Sequence, residues 1–413
     1  MIDASILGSN INRVKAHNMR AVLLSLLYQE PAFRVQIAEQ TSLSTTTITN
    51  IIDELMEMGI VSEAGIEEVR GRRRVGRPRA ALRLEKNARY AVSIQIGVER
   101  YRIALANLKA EILFNRRSGF NRKAPPAEII GQIASQIEDL ILESGLERQQ
   151  MLGIGVGAAG LINYHTGVNI IAPNLGWENI PLRDWLQERL ELPVVVDNNV
   201  KAMALGEAFF GAGRQASSLA FVYGRYGVGS GLVVENRLLR GADLGAGEIG
   251  HMILIADGGE RCTCGQYGCL ETLVSEGVMI RQAEAQIQAR PGSLLARIWN
   301  PEDNNLIELI FQAAREGDEG AASIISRAAH YLGIALANLV NLLNPEMIFL
   351  GGLFSQGQDL FLPPVEKTLR QTAFAGLGKN VRLQAASFGW QAGIVGAAAL
   401  ALTNFFYLNP EEQ

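Results

Sequence analysis

Apolar residues recur at helical spacing through the first sixty positions of the chain. Met19, Val22, Leu23, Leu26 and Leu27 fall on one face of a helix over residues 18–28, and Val35, Ile37 and Ala38 mark a shorter helix over 33–40. Thr41, Ser42 and Leu43 then make a turn of the length that joins two crossed helices. The spacing predicts a third helix over 44–58, capped by Ser44, stopped by Gly59, and burying Ile48, Ile51, Ile52 and Leu55. Its other face carries Thr45, Thr46, Thr49, Asn50 and Asp53. Small hydroxyl and amide groups can meet phosphates or base edges in a DNA major groove, as the second helix of a helix-turn-helix does. A merely solvated helix face would look the same.

The period then shortens. Ile60 and Val61 start a strand, GRRRVGRPR makes a turn, and Ala81, Leu82 and Leu84 resume an apolar strand, so residues 1–87 read as a winged helix-turn-helix. Arg72, Arg73, Arg74, Arg77 and Arg79 flank Gly76 and Pro78, a slim basic segment suited to a narrow minor groove. The alternative is a basic interdomain linker.

Beyond the wing the pattern is that of an α/β body. VSIQIG and YRIALA form a hairpin, residues 127–146 an amphipathic helix, and MLGIGVGAAGLIN (151–163) an apolar strand. LAFVYGRYGVGSGLVVENRLL (219–239) repeats the strand, glycine turn and strand, which implies two related lobes. We expect a first lobe over 88–200, a second over 201–389 with a dimer interface, and a C-terminal helix over 390–408 packing back on the first. The strand over 192–196 runs into Asp197, Asn198 and Asn199, polar residues placed to face a ligand crevice or to cap a following helix.

Bulk composition narrows the class. The 413 residues are 48% hydrophobic and 19% charged, as in a globular protein with a large core. The first residues lack a signal-peptide pattern and Gly, Asn or charge interrupts each long apolar stretch, so a cytoplasmic chain without membrane attachment is expected. A net charge of -4 argues against polyanion binding by the whole surface, so any nucleic-acid site must be local. All 3 cysteines lie in EIGHMILIADGGERCTCGQYGCLE, where His251, Cys262, Cys264 and Cys269 are spaced as a closed tetrahedral set for structural zinc. A redox dithiol is the competing assignment.

Taken with that cluster, GAGEIGH (245–251), CLE (269–271), GVGSGLVV (227–234) and PNLGWENIPL (173–182) give the chain a resemblance to the ROK family of sugar-responsive repressors, open reading frames and sugar kinases. The resemblance covers nearly the whole sequence and implies an actin-like, ribonuclease-H-like pair of lobes closing over a sugar. It also implies sugar contacts at Asn174, Asn198, Asn199, Glu248, His251 and Glu271.

The chain departs from the family's kinases in two places. Where they resemble Glu-Asn-Asp, with the aspartate as base, this sequence reads Asp197, Asn198, Asn199, and an amide cannot take a proton. Loss of a general base costs about 100- to 10,000-fold in rate. Where the kinases resemble Asp-x-Gly-Gly-Thr, it reads Gln95, Ile96, Gly97, Val98, Glu99, whose valine and carboxylate crowd and repel a triphosphate. The expectation is a non-enzymatic repressor, a dimer or tetramer on operator DNA (and so with the nucleoid when bound), released by a sugar effector. The alternative is an active ROK sugar kinase with an autoregulatory DNA-binding domain.

Overall fold

The apolar stripes of the first sixty residues close on one another. In a computed structural model, which describes residues 11–66, 80–303 and 305–408, helices α1 (Ile11–Tyr28), α2 (Arg34–Thr41) and α3 (Thr45–Glu57) pack around buried Val22, Leu26, Ile37, Ile48, Ile52 and Leu55. α1 begins seven residues earlier than its apolar stripe predicts, because extending a formed helix is far cheaper than nucleating one. Ser44 caps α3 as expected, its hydroxyl accepting from the Thr47 amide at 3.1 Å. Strands β1 (Val61–Ile66) and β2 (Ala80–Leu84) pair antiparallel with Val61 opposite Leu84, and Ala32 bridges to Leu82. Arg72, Arg73, Arg74, Arg77 and Arg79 lie outside the described residues.

The next stretch runs β3 (Tyr90–Ile96), β4 (Arg100–Asn107), β5 (Ile112–Gly119), α4 (Pro126–Ser144), β6 (Met151–Ala158), β7 (Leu161–Asn163), β8 (Val168–Ala172), β9 (Trp177–Pro181), α5 (Leu182–Leu190) and β10 (Val194–Asn198). The apolar segment read as one strand over 151–163 is therefore two, and β7 joins β8 and β9 in a separate small sheet. The main sheet has the order β10-β6-β3-β4-β5. Ile129, Ile133 and Ile137 of α4 are fully buried in the same core as Val92, Ile94 and Ile96 of β3.

After this come α6 (Asn199–Phe210), β11 (Leu219–Gly224), β12 (Val228–Val234), β13 (Arg237–Leu238), α7 (Glu271–Val274), α8 (Glu276–Ala289), α9 (Leu294–Ile298), α10 (Leu306–Arg315) and α11 (Glu319–Leu343). The chain finishes through β14 (Met347–Gly352), α12 (Leu353–Gln356), α13 (Gln358–Thr372), β15 (Arg382–Ala385) and α14 (Ala392–Leu402). Their sheet is ordered β13-β12-β11-β14-β15. Numbered within each sheet in chain order, both five-stranded sheets run 3-2-1-4-5, each an antiparallel meander extended on its first strand by a parallel one. The duplication suggested by the two glycine hairpins is thus a duplication of topology.

Two compact units result, one holding the chain up to Asp197 and from Ala397 onward, the other Asn198–Gly396. α1–α3 and β1–β2 belong to the first. In that unit Gly155 of β6 lies so close to α14 that a Cβ there would stand 1.9 Å from the Ala397 carbonyl oxygen. Beyond α14, the buried Tyr407 donates its hydroxyl to the Leu108 carbonyl at 2.7 Å, and α1 packs against the turn Thr403–Tyr407. Glu30 accepts from the Leu84 amide at 2.8 Å and pairs with Lys109, which fastens the segment of α1–α3 and β1–β2 to the β4–β5 turn.

Gly155→Ala is expected to lower stability by about 1–3 kcal/mol through overpacking. Gly131→Ala, in α4 where a Cβ would meet nothing within 4 Å, is expected to raise it by about 0.5–1 kcal/mol. Denaturant midpoints of the two variants check both signs.

Candidate functional site

The segment between β13 and α7 is almost without regular structure, having one short 3-10 turn, Ile249–His251. Backbone contacts that admit no side chain hold it in place. The Gly247 carbonyl accepts from the Ser230 amide at 3.0 Å and hydroxyl at 2.7 Å, and a Cβ on Gly250 would stand 2.0 Å from the Val228 carbonyl oxygen. The GAGEIGH glycines therefore let the loop lie flat on β12. Further on the loop folds on itself, Leu254 and Ile255 both donating to the Gly268 carbonyl and Cys262 to that of Gln266.

This folding gathers the four predicted ligands. The ligand atoms of His251, Cys262, Cys264 and Cys269 all lie within 4.8 Å of one another, with His251 Nδ1 at 3.6 Å from Cys262 Sγ and the Cys264 and Cys269 sulfurs 3.7 Å apart. Thiolates at about 2.3 Å from a tetrahedral ion would be separated by about 3.8 Å, so the spacing fits a metal ion. Burial, with the neighbouring thiols adding to it, pushes the Cys269 thiol up to about 12, whereas the Gln266 backbone amide holds that of exposed Cys264 below its ordinary value. A cation is what would release the Cys269 proton.

Glu271, at the start of α7, spans two segments. One carboxylate oxygen accepts from the Val228 amide at 3.0 Å and the other from the Thr263 hydroxyl at 3.1 Å, so the glycine hairpin and the cysteine loop are tied through it. Glu248 is exposed three residues before His251, and its side chain makes no hydrogen bond among the described residues. Asn198 is the N-cap of α6, its side-chain oxygen accepting from the Val200 amide at 2.8 Å and the Lys201 amide at 3.3 Å. Of the two roles open to it in the sequence, the cap is the one observed. Asn199 is half-buried in the first turn of α6, and Asn174 is exposed in the turn between β8 and β9 of the first unit. Ser44, the N-cap of α3, and Thr45, Thr46, Thr49 and Asn50 within it are all exposed.

Two charged residues escaped the sequence reading. Lys201 is 4% exposed, and its ammonium donates to the Leu244 carbonyl in the loop that carries Glu248. Glu207 is fully buried and accepts from the Ser387 amide at 2.5 Å and hydroxyl at 2.7 Å, while burial raises its carboxyl above the ordinary glutamate value. The available signal was a charge inside NVKAMALGEAFF, a helix otherwise apolar on every side.

Residues 91–404 match the family model "ROK family", which accounts for most of the chain and both duplicated sheets. The chain belongs to the ROK family. Among ROK proteins it is 30% identical to the xylose repressor of Caldicellulosiruptor bescii, over 96% of this chain and 98% of that protein. It is 34% identical to a glucokinase of Halalkalibacterium halodurans, over 76% of this chain and 94% of the enzyme. The crystal structure of a ROK family transcriptional regulator, a homologue of the Escherichia coli Mlc protein, superposes with a TM-score of 0.80 at 29% identity, covering 94% of this chain and 96% of that one. The ROK model begins only after α1–α3 and β1–β2, whereas both regulators extend over nearly the full length.

Glu271→Ala should leave the buried Val228 amide without its acceptor and cost about 1–3 kcal/mol, and Glu271→Gln, which keeps an acceptor oxygen, clearly less. Urea unfolding of the two variants side by side reads the difference.

Proposed function

We propose that the protein is a sugar-responsive transcriptional repressor in which a catalytically silent ROK body senses the ligand and the winged helix holds operator DNA. The observation that carries this reading is Asn199 at the head of α6, where the family's kinases resemble an aspartate base, in a chain that also presents the exposed polar face of α3. An amide can hold a sugar hydroxyl by a hydrogen bond and cannot remove its proton.

In this mechanism Asn174, Asn198, Asn199, Glu248, His251 and Glu271 contact the sugar, the paired acceptors and donors of amides and carboxylates matching vicinal hydroxyls. His251, Cys262, Cys264 and Cys269 hold a structural Zn2+, whose closed ligand set leaves no position for a water nucleophile. Fixing this loop in advance lowers the entropy lost when Glu248 and Glu271 engage the ligand. The protein acts as a dimer, since one small reader seldom supplies enough contact, and the sugar favours a DNA-incompetent arrangement by an ordinary coupling of about 1–3 kcal/mol. Arg72, Arg73, Arg74, Arg77 and Arg79 complete the DNA surface in the minor groove.

The likeness to a glucokinase favours a second reading, an active kinase that regulates itself. A thermal-shift screen of hexoses, pentoses and amino sugars, followed by operator titration with each hit, tests the proposal. A stabilising sugar is expected to weaken DNA binding about 5- to 150-fold without ADP release, and turnover of ATP at ordinary kinase rates would overturn it. Removing metal with a chelator is expected to lower the melting temperature and to weaken sugar stabilisation, both restored by zinc, as read by differential scanning fluorimetry.

A further inference from the structure

The α3 face has a chemistry more specific than polarity. α2 and α3 together contain one cation, Arg34. Its guanidinium lies 3.5 Å from Asp53 and 3.6 Å from Glu63, held between two carboxylates. Lys15 of α1 is likewise paired with α3, 2.8 Å from Glu54. Guanine is read in the major groove chiefly by a free Arg or Lys reaching N7 and O6. α2 and α3 offer none.

What it does offer is one carboxamide among methyl groups. Asn50 is exposed and its side chain has no hydrogen-bond partner among the described residues. An asparagine amide matches adenine N6 and N7 in a bidentate pair. Thr49 lies beside it, its hydroxyl donating to the Thr45 carbonyl at 2.9 Å. With the hydroxyl turned back onto the helix, the side chain presents its methyl outward. Thr46 stands one turn before Asn50 on the same exposed face. A methyl is the group that packs against thymine C5, the neighbour that adenine's partner supplies.

We propose that α3 selects A·T base pairs at the centre of each operator half-site, Asn50 reading adenine and Thr49 with Thr46 reading the thymine methyl. This assignment rests on the regulator reading above and adds the base chemistry that the reader takes.

The test is selection of the full-length protein on a library of random duplexes, followed by binding to the selected site with single-atom base changes. We expect A·T pairs at the selected half-site centres. Replacing the read adenine by 7-deazaadenine, or Asn50 by Ala, should weaken binding by about 5- to 150-fold, and the two losses should not add. Uracil in place of thymine should cost about fourfold in the parent and little in Thr49→Ala. Selected half-sites with G·C centres, or an unchanged preference in Asn50→Ala, overturn the assignment while salt-sensitive DNA binding leaves the regulator reading standing. Failure to retain any duplex at low salt overturns both.

Discussion

A stretch of about thirty residues with hardly any hydrogen-bonded ladder of its own must be held in one shape by ties, because each ordered residue costs about 1–2 kcal/mol of backbone entropy. In this protein the ties are the flat passage of the GAGEIGH backbone over β12, the two-ended Glu271 carboxylate, and the meeting of His251 with three sulfurs. Burial pushes the Cys269 thiol up, so a cation held by the four groups would have to displace its proton. Glu248, three residues before His251 in this loop, inherits whatever order the cluster provides.

The two sheets explain why fold alone does not separate a kinase from a regulator. Both have the 3-2-1-4-5 order, and relatives with either name share the body. On the proposed reading the distinction lies in single side chains, Asn199 at the start of α6 and Glu99 in the β3–β4 turn.

Much of this was legible because period reports burial directly. Ile48, Ile51, Ile52 and Leu55 are the buried face of α3, and Ile129, Ile130, Ile133, Ile137 and Leu140 that of α4, as their spacing requires. The grouping of His251 with the three cysteines was legible because rare residues were concentrated in one segment. Less legible were features with two equal local explanations or distant partners. Asn198 could cap or bind, and only coordinates reveal the amides of Val200 and Lys201 under its oxygen. The partners of Lys201 and Glu207 lie 43 and 180 positions away, beyond any local pattern. The separation of β6 from β7 was hidden because continuous apolar character carries no phase.

The membership of the final residues in the first unit has a consequence for synthesis. The sheet begun at Tyr90 is covered at Gly155 by a helix translated some 240 residues later, and α1 leans on the turn Thr403–Tyr407, translated later still. Such contacts have large sequence separation, so they close late. The Asn198–Gly396 unit, whose chain is contiguous, can settle on its own, while the first unit needs the residues from Ala397 onward to finish its core.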